Sequence, residues 1–400
     1  MIINKKFIII STVFIDVLGM GIIIPTLPFY VQSFGVSAFT VTLLFCVFAF
    51  FSFFSAPVLG ALSDRIGRRP ILILSICSSA LGWLVFASAT NIWFLFLGRI
   101  IDGLAAGNFS TAQSYLTDIA KDHIERTKNL GLIGAVFGVA FILGPGIGGL
   151  LSRVSSTFPF WCVGILACLN ALNAGFNLPE SHLNRNTKTK FSINPFGPMG
   201  RILADKKILP GFVVWFLFGL AVSIQQAVFA LYLGRVFSLG AFAAGLFMTG
   251  VGAIMILNQG FLLSKFWLKK FNERSLELFM VGVFSIGFLL MCSSALSIFI
   301  VGMVGLIFSQ SILRVVFTSQ IVGNSQERKG EVLGALTSVM SLSMIIGPLV
   351  AGALFVSHVK WPFVLSSVLG VVAFAILYYN RIKLRKFDQK VTAPNDQTII

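Results

Sequence analysis

Apolar residues run along this chain in long unbroken blocks, and short polar links separate them. Twelve blocks can be marked, at about 7–31, 39–62, 71–90, 93–117, 129–151, 158–178, 208–233, 241–263, 275–295, 297–322, 331–356 and 361–381. Each meets the roughly 20 residues a helix needs to cross a hydrocarbon core of about 30 Å. A helix also satisfies its own backbone hydrogen bonds, which lipid cannot do. The pattern therefore predicts an all-α membrane protein of twelve transmembrane helices. Two links have length: 179–207, polar and basic, and the tail after Arg381. The first block is too long for a cleavable signal, contains Asp16 and lacks a small-residue cleavage site before the next block.

Composition agrees with the pattern. The chain is 56% hydrophobic and 11% charged, against about a quarter charged in soluble domains. Charge then tests the count. With the N-terminus in the cytoplasm, 25 of the 30 basic residues fall in cytoplasmic segments, while the other side holds Arg153, Arg235 and Lys360. An odd number of spans would scramble this positive-inside bias. Both termini are therefore expected in the cytoplasm. The net charge of +16 anchors the links to anionic lipid and is no nucleic-acid footprint. Cys46, Cys77, Cys162, Cys168 and Cys292 lie within blocks without CxxC spacing, so neither a disulfide framework nor a metal site is expected.

The chain also resembles itself. Gly60 opens a basic link after the second block and Gly260 another after the eighth. "ERTKNLGLIGA" from Glu125 pairs with "ERKGEVLGA" from Glu327, and Gly144-Pro145 with Gly347-Pro348. The offsets of 200, 202 and 203 describe one duplication of six helices. The expected organisation is a six-helix half over 1–178, a basic linker over 179–207, a second half over 208–381 and a tail over 382–400. Two such halves rocking about a site at their interface form a transporter architecture.

"GALSDRIGRRP", Gly60 to Pro70, is the most polar stretch of the first hundred residues. It matches the G-x-L-[AS]-D-R-x-G-R-[RK] signature between helices 2 and 3 of the major facilitator superfamily. "LGMGIIIPTLP" from Leu18 resembles the first-helix LG-x5-P-x-x-P pattern of twelve-helix drug:proton antiporters. "GRIIDGLAAG" from Gly98 resembles their fourth-helix R-x-x-Q-G motif, with Asp102 where Gln is usual. "GLIGAVFGVAFILGPGIGG" from Gly131 resembles their fifth-helix motif G-x8-G-x3-GP-x2-GG, with Ala140 replacing one Gly. Together these motifs span the first half, and the chain is most similar to the tetracycline-exporter-like branch.

The resemblance implies a major facilitator fold with a central cavity, in a bacterial inner (plasma) membrane. It implies a proton-coupled antiporter exporting a small amphipathic compound by alternating access. It also implies that Gly60, Asp64, Arg65, Gly67, Arg68 and Arg69 form a cytoplasmic gate latching the halves together. Asp64 is placed to accept from nearby Arg residues and from the N-terminal amides of a neighbouring helix. In the fifth block, Gly134, Gly138, Phe141, Pro145 and Gly149 make one nearly side-chain-free stripe. Small residues let helices approach closely and Pro kinks the helix, so Gly134, Gly138, Gly144, Pro145, Gly148 and Gly149 read as an interhelix hinge.

Arg99 and Asp102 sit three apart on one helix face, inside a span where charge is costly. They are either a structural salt bridge or a proton site in which Arg99 tunes Asp102. Asp102, Ala106, Phe109 and Gln113 share a face at helical spacing, a plausible cavity lining; Asn108 lies off that stripe and is the weaker candidate. Asp16 is either neutral and hydrogen-bonded to backbone or a proton or cation site facing the water-filled cavity; the resemblance supports the second, since these exporters commonly carry an acid in helix 1. The second half offers the cavity candidates Gln225, Gln226, Asn258, Gln310 and Arg314, and no carboxylate accompanies Arg314 in its span. This departs from tetracycline exporters, whose second half carries functional acids. Arg314 calls for a partner on another helix, helix carbonyls or an anionic substrate.

No GxxxxGK[ST] loop is present, and His123, His182 and His358 stand in links without an HExxH partner, so no enzyme and no cofactor are expected. The alternative function is proton-coupled or facilitated transport of a metabolite, nutrient or siderophore. Expected partners are a small-molecule substrate, protons and membrane lipid, with the protein acting as a monomer.

Overall fold

The computed structural model describes residues 5–181, 208–323 and 329–392. Most of the expected linker, the end of the tail and the Glu327-Arg328 part of the repeat lie outside the described residues. Twelve helical stretches are long and apolar enough to span a membrane, from Lys6–Gln32 to Trp361–Ile382, one for each predicted block. Among the described residues there is no strand.

The first half contains α1 (Lys5–Gln32), α2 (Ala38–Ile66), α3 (Arg68–Ala87), α4 (Ile92–Leu104), α5 (Asn108–Asp118), α6 (His123–Leu151) and α7 (Phe158–Asn177). The second contains α8 (Leu209–Phe237), α9 (Ala241–Leu257), α10 (Glu273–Met291), α11 (Leu296–Gly323), α12 (Lys329–Ser357) and α13 (Trp361–Thr392). A π-helical segment, Asn258–Trp267, extends α9 and completes the eighth span. Polar links begin helices in the ordinary way: Ser37, Asn91, Asp122 and Asn272 accept backbone amides at the starts of α2, α4, α6 and α10.

The duplication is present in three dimensions. A Cβ at Gly82 of α3 would meet the Gly98 carbonyl of α4 at 2.8 Å, and one at Gly287 of α10 would meet the Gly302 carbonyl of α11 at 3.0 Å. Gly144 meets the Gly21 backbone of α1 as Gly347 meets Ser223 of α8. Tyr30 packs on Phe160 with centroids 5.2 Å apart, and Tyr232 packs on Phe363 at 4.8 Å. Backbone contact at small residues is the common scaffold of both halves.

The fourth span is broken, which corrects the face drawn through Asp102, Ala106, Phe109 and Gln113. α4 stops at Leu104 and α5 restarts at Asn108. Gly103 and Gly107 let α2 press against the break: a Cβ at Gly103 would lie 2.8 Å from Phe51 Cβ, and one at Gly107 3.0 Å from Leu59 Cβ. The carbonyls at the break accept hydroxyls instead, Ser55 donating to Gly103 at 2.7 Å and Ser78 to Ile101 at 2.7 Å. Irregular backbone at membrane depth survives because protein side chains satisfy it.

The halves meet along α6 with α9 and α2 with α12. The stripe of the fifth span divides into two ridges. Gly144 and Gly148 face α1, a Cβ at Gly148 lying 2.9 Å from Ile22 Cα; Gly149 faces α9, 3.0 Å from Phe242 Cα. Arg153 lies 3.6 Å over the Phe242 ring, a cation–π contact across the same junction. A Cβ at Gly352 of α12 would lie 3.0 Å from Phe39 Cα of α2. At the opposite ends of these helices, a Cβ at Gly60, Gly131, Gly134 or Gly334 would meet nothing within 4 Å, and one at Gly138 only Ile256 at 3.7 Å. The halves therefore close at the 39/149/242/352 end, and the central cavity opens at the other, the end that carries the link between α2 and α3.

Bulk at the closed end should strain the protein while bulk at the open end should not. Gly245→Leu drives a side chain into the Pro145 carbonyl and is expected to cost about 1–3 kcal/mol. Gly134→Leu is expected to leave thermal unfolding of the purified protein unchanged or slightly improved. Equal losses in the two melting curves would contradict the packing described.

Candidate functional site

Inside the first half, α1, α3, α4, α5 and α7 enclose a cluster of polar side chains. Arg99 is 4% exposed and Asp102 is 6% exposed, with Arg99 Nη2 lying 3.4 Å from Asp102 Oδ2. The guanidinium is caged by aromatic rings, 4.5 Å from the Trp83 centroid and 5.3 Å from those of Phe48 and Phe86. The ring faces offset part of the cost of an ion in this place. Ser79 of α3 lies beside Asp102. Arg99 Nε and Nη2 have no hydrogen-bond partner among the described residues.

Asp16 shares this interior. Its carboxylate lies close enough to Asp102 for the two to repel, and it accepts from Asn108 Nδ2 at 3.2 Å. A small half-enclosed cavity touches Thr12, Asp16, Ser79 and Asn108, with Asn170 of α7 on the far wall. Asn170 donates to Thr12 at 3.1 Å. The buried Oδ1 of Asn108, one of the lining residues, has no hydrogen-bond partner among the described residues, which makes the pocket suited to water. Asp16, half-buried, lines a pocket of the first half among the first, third, fourth and sixth spans. One expectation changes here. Asn108, set aside on helical spacing, is the partner of Asp16, because the break at 105–107 resets the register.

The repeat makes this cluster one-sided. The offsets that superpose the packing contacts set Phe218 where Asp16 stands, Phe284 for Ser79, Met303 for Arg99 and Leu306 for Asp102. Phe218 and Phe284 pack at 5.4 Å, and all four second-half residues are buried. The same scaffold thus holds ionisable groups in one half and an apolar plug in the other.

The polar link between α2 and α3 folds into a second cluster. Arg68 reaches Asp64 at 2.5 Å, Asp118 at 3.0 Å and Ser63 at 2.6 Å. Arg69 donates to the Gly175 carbonyl at 2.7 Å. The first amides of α3 are received by Glu180, from Arg68 N at 2.8 Å and Arg69 N at 3.2 Å, and not by Asp64. A carboxylate at a helix N-terminus meets unpaired N–H groups and the positive end of the dipole. Gly67 has φ of +112° and faces Glu180 so closely that any Cβ would collide. These partners of Asp64, Arg68 and Arg69 all belong to the first half, so with the cavity open on this side the link ties α2, α3, α5 and the end of α7 to one another. At the same membrane face Lys6 pairs with Glu125. That bond, followed by the amide of Lys121, holds the Glu125 carboxyl below the usual carboxylate range.

In the second half, Gln225, Gln226 and Gln310 are half-buried and Arg314 is exposed. Asn258 does not line the cavity. It is fully buried, donates to the Phe308 carbonyl at 3.1 Å and to Ser311, and accepts from the Trp267 indole at 3.0 Å. These bonds pin the π-helical segment to α11. In the first half Gln113 is half-buried on α5, one turn after exposed Phe109.

Two six-helix halves that meet along two seams, with charged side chains buried among apolar spans, have the build of a membrane transporter. The Major Facilitator Superfamily profile matches residues 9–322 and 260–397, and the chain belongs to that family. Tetracycline resistance protein, class C, of Escherichia coli is 28% identical over 362 residues, covering 88% of this chain and 90% of the relative. Quinolone resistance protein NorA of Staphylococcus aureus (strain MSSA476) is 27% identical over 403 residues, covering 96% and 99%. The crystal structure of nucleoside transporter NupG has a similar fold, with a TM-score of 0.77 at 14% identity, covering 94% of this chain and 99% of that one. That of the human organic anion transporter MFSD10 gives 0.67 at 20% identity, covering 93% and 98%.

The Glu180 cap gives a direct test of the link cluster. Glu180→Ala leaves the first amides of α3 without their acceptor and is expected to lower stability by about 1–2 kcal/mol, as loss of a helix cap does. Thermal unfolding of the purified protein measures it, and an unchanged midpoint would show that solvent replaces the carboxylate without loss.

Proposed function

We propose that the protein is a proton-coupled antiporter that exports a small amphipathic compound by alternating access, across a bacterial plasma membrane with both termini in the cytoplasm. One observation carries the reading: two carboxylates, Asp16 and Asp102, share an intramembrane pocket with one guanidinium, Arg99. The pocket is electrically neutral only with a proton on board. An uncompensated charge at this depth costs several kcal/mol, so loss of that proton must be met by rearrangement of the helices that hold it. Proton and substrate then communicate through the positions of α1 and α4, and not by contact in a shared cavity. A unit charge 4 Å from another, at an effective dielectric near 20, is worth about 4 kcal/mol. That is about a thousandfold in the balance between inward- and outward-open forms. The drug-resistance relatives support export as the direction.

Two assays in vesicles separate coupling from folding: uphill transport driven by a proton gradient, and downhill exchange of substrate. Asp16→Asn and Asp102→Asn are expected to lower uphill transport at least tenfold while sparing exchange. Arg99→Ala, which unbalances the pocket, should lower folded yield and both activities. Full uphill transport in both Asn variants would refute proton antiport through this cluster. Gly138→Leu should block both activities without loss of folded protein, since its bulk obstructs approach of α9 only when the open end closes.

A further inference from the structure

The charged wall of the central cavity is in the other half. Along α11, Ser311 packs on the eighth span through Asn258, while Phe317 packs on Trp215 of α8 with centroids 6.4 Å apart. Arg314 stands three residues from each, so its side chain points between these two neighbours. It lies on the side of the helix opposite the exposed Ile298, Val301 and Ser319, where lipid lies. Gln310 and Thr318, four residues on either side, share its inner face. Exposure on this inner face means exposure to the cavity; toward hydrocarbon, a guanidinium would be prohibitive.

The side chains of Arg314 and Gln310 bring to this face N–H donors that no acceptor among the described residues meets. Arg314 makes no ion pair among the described residues, and the buried Gln310 Nε2 has no hydrogen-bond partner there. The Thr318 hydroxyl is turned back to the Arg314 carbonyl at 2.8 Å. The second half carries one carboxylate within the body of a described span, Glu277 on α10, which lies beside Gln320. The first half's acids are turned into their own pocket. Beside the junction of the halves, the first half adds aromatic surface: exposed Phe109 meets Phe137 at 5.8 Å, and Phe137 stacks on Phe141 at 6.1 Å.

We propose that Gln310 and Arg314 bind an anionic group, a carboxylate or sulfonate, on an aromatic amphiphilic substrate. This deepens the transport reading and rests on it. Fixed N–H donors without a protein acceptor are what a carboxylate satisfies and an ammonium cannot. Because the proton cluster lies in a separate pocket, an anionic substrate does not have to displace the proton by direct contact.

Dansylglycine, dansylamide and dansylcadaverine present one aromatic body with negative, neutral and positive ends. Their binding can be followed by fluorescence with the whole protein in phosphatidylcholine nanodiscs. The wild type is expected to prefer dansylglycine to dansylcadaverine by at least about tenfold. Arg314→Gln should weaken dansylglycine by about 10- to 100-fold, the loss of a charge-assisted bond, with little effect on dansylcadaverine, and Arg314→Lys should restore part. Preference for the cation in the wild type, or equal losses for all three probes in Arg314→Gln with an unchanged melting curve, would overturn the assignment. Loss of the anion preference when phosphatidylglycerol is included would assign the guanidinium to a lipid headgroup and overturn it too. Asp16→Asn should keep the binding preference. If the wild type binds dansylglycine selectively yet no proton gradient drives its transport, the coupling reading fails and the anion site stands.

Discussion

An ion in hydrocarbon has to be answered by the protein itself, and this constraint organises the first half. Arg99 and Asp102 are tolerable only because aromatic rings cage the guanidinium and Ser79 lies beside the carboxylate. The same constraint explains the interrupted fourth span. Ser55 and Ser78 take up carbonyls that the break releases, and the break turns Asn108 toward Asp16. Compensation is local and incomplete, since Arg99 retains buried N–H groups without partners. A site that is one proton away from neutrality in a medium that punishes charge is well placed to bias the helices around it.

The duplicated backbone is the second theme. Glycine contacts between the third and fourth spans recur between the ninth and tenth, so the repeat preserves how the helices touch. What it does not preserve is side-chain chemistry. Where the first half has Asp16, Ser79, Arg99 and Asp102, the second packs Phe218, Phe284, Met303 and Leu306. The second half carries its cavity charge elsewhere, on Arg314. On the proposed reading one half answers the proton and the other holds the cargo, and the halves touch along the α6–α9 and α2–α12 seams.

Twelve spans were legible because each is a self-contained run whose hydropathy needs no partner. The link signature was legible as residue types, and Asp64 with Arg68 could be paired because they sit one turn apart. Glu180, the acceptor for the first turn of α3, stands more than a hundred residues away in sequence and gave no local sign. Helical spacing failed at the fourth span because Gly103 and Gly107 act through contact with α2, which no periodicity records. It failed again at Asn258, whose amide is used up by Ser311, Phe308 and Trp267. Which face the polar residues inside spans turned to depended on neighbours distant in sequence.

The central claim is that the proton cluster, buried in one half, sets whether the open end is open. Ile66 at the end of α2 and Leu333 near the start of α12 are both exposed there. Spin labels at these positions, in a background whose five native cysteines are replaced by serine, report the separation of the two ends. The distance distribution of the otherwise wild-type protein is expected to have two populations whose ratio changes with pH, and the change should vanish in Asp16→Asn/Asp102→Asn. A ratio that ignores pH in the otherwise wild-type protein, or that responds equally in the double variant, would contradict the account.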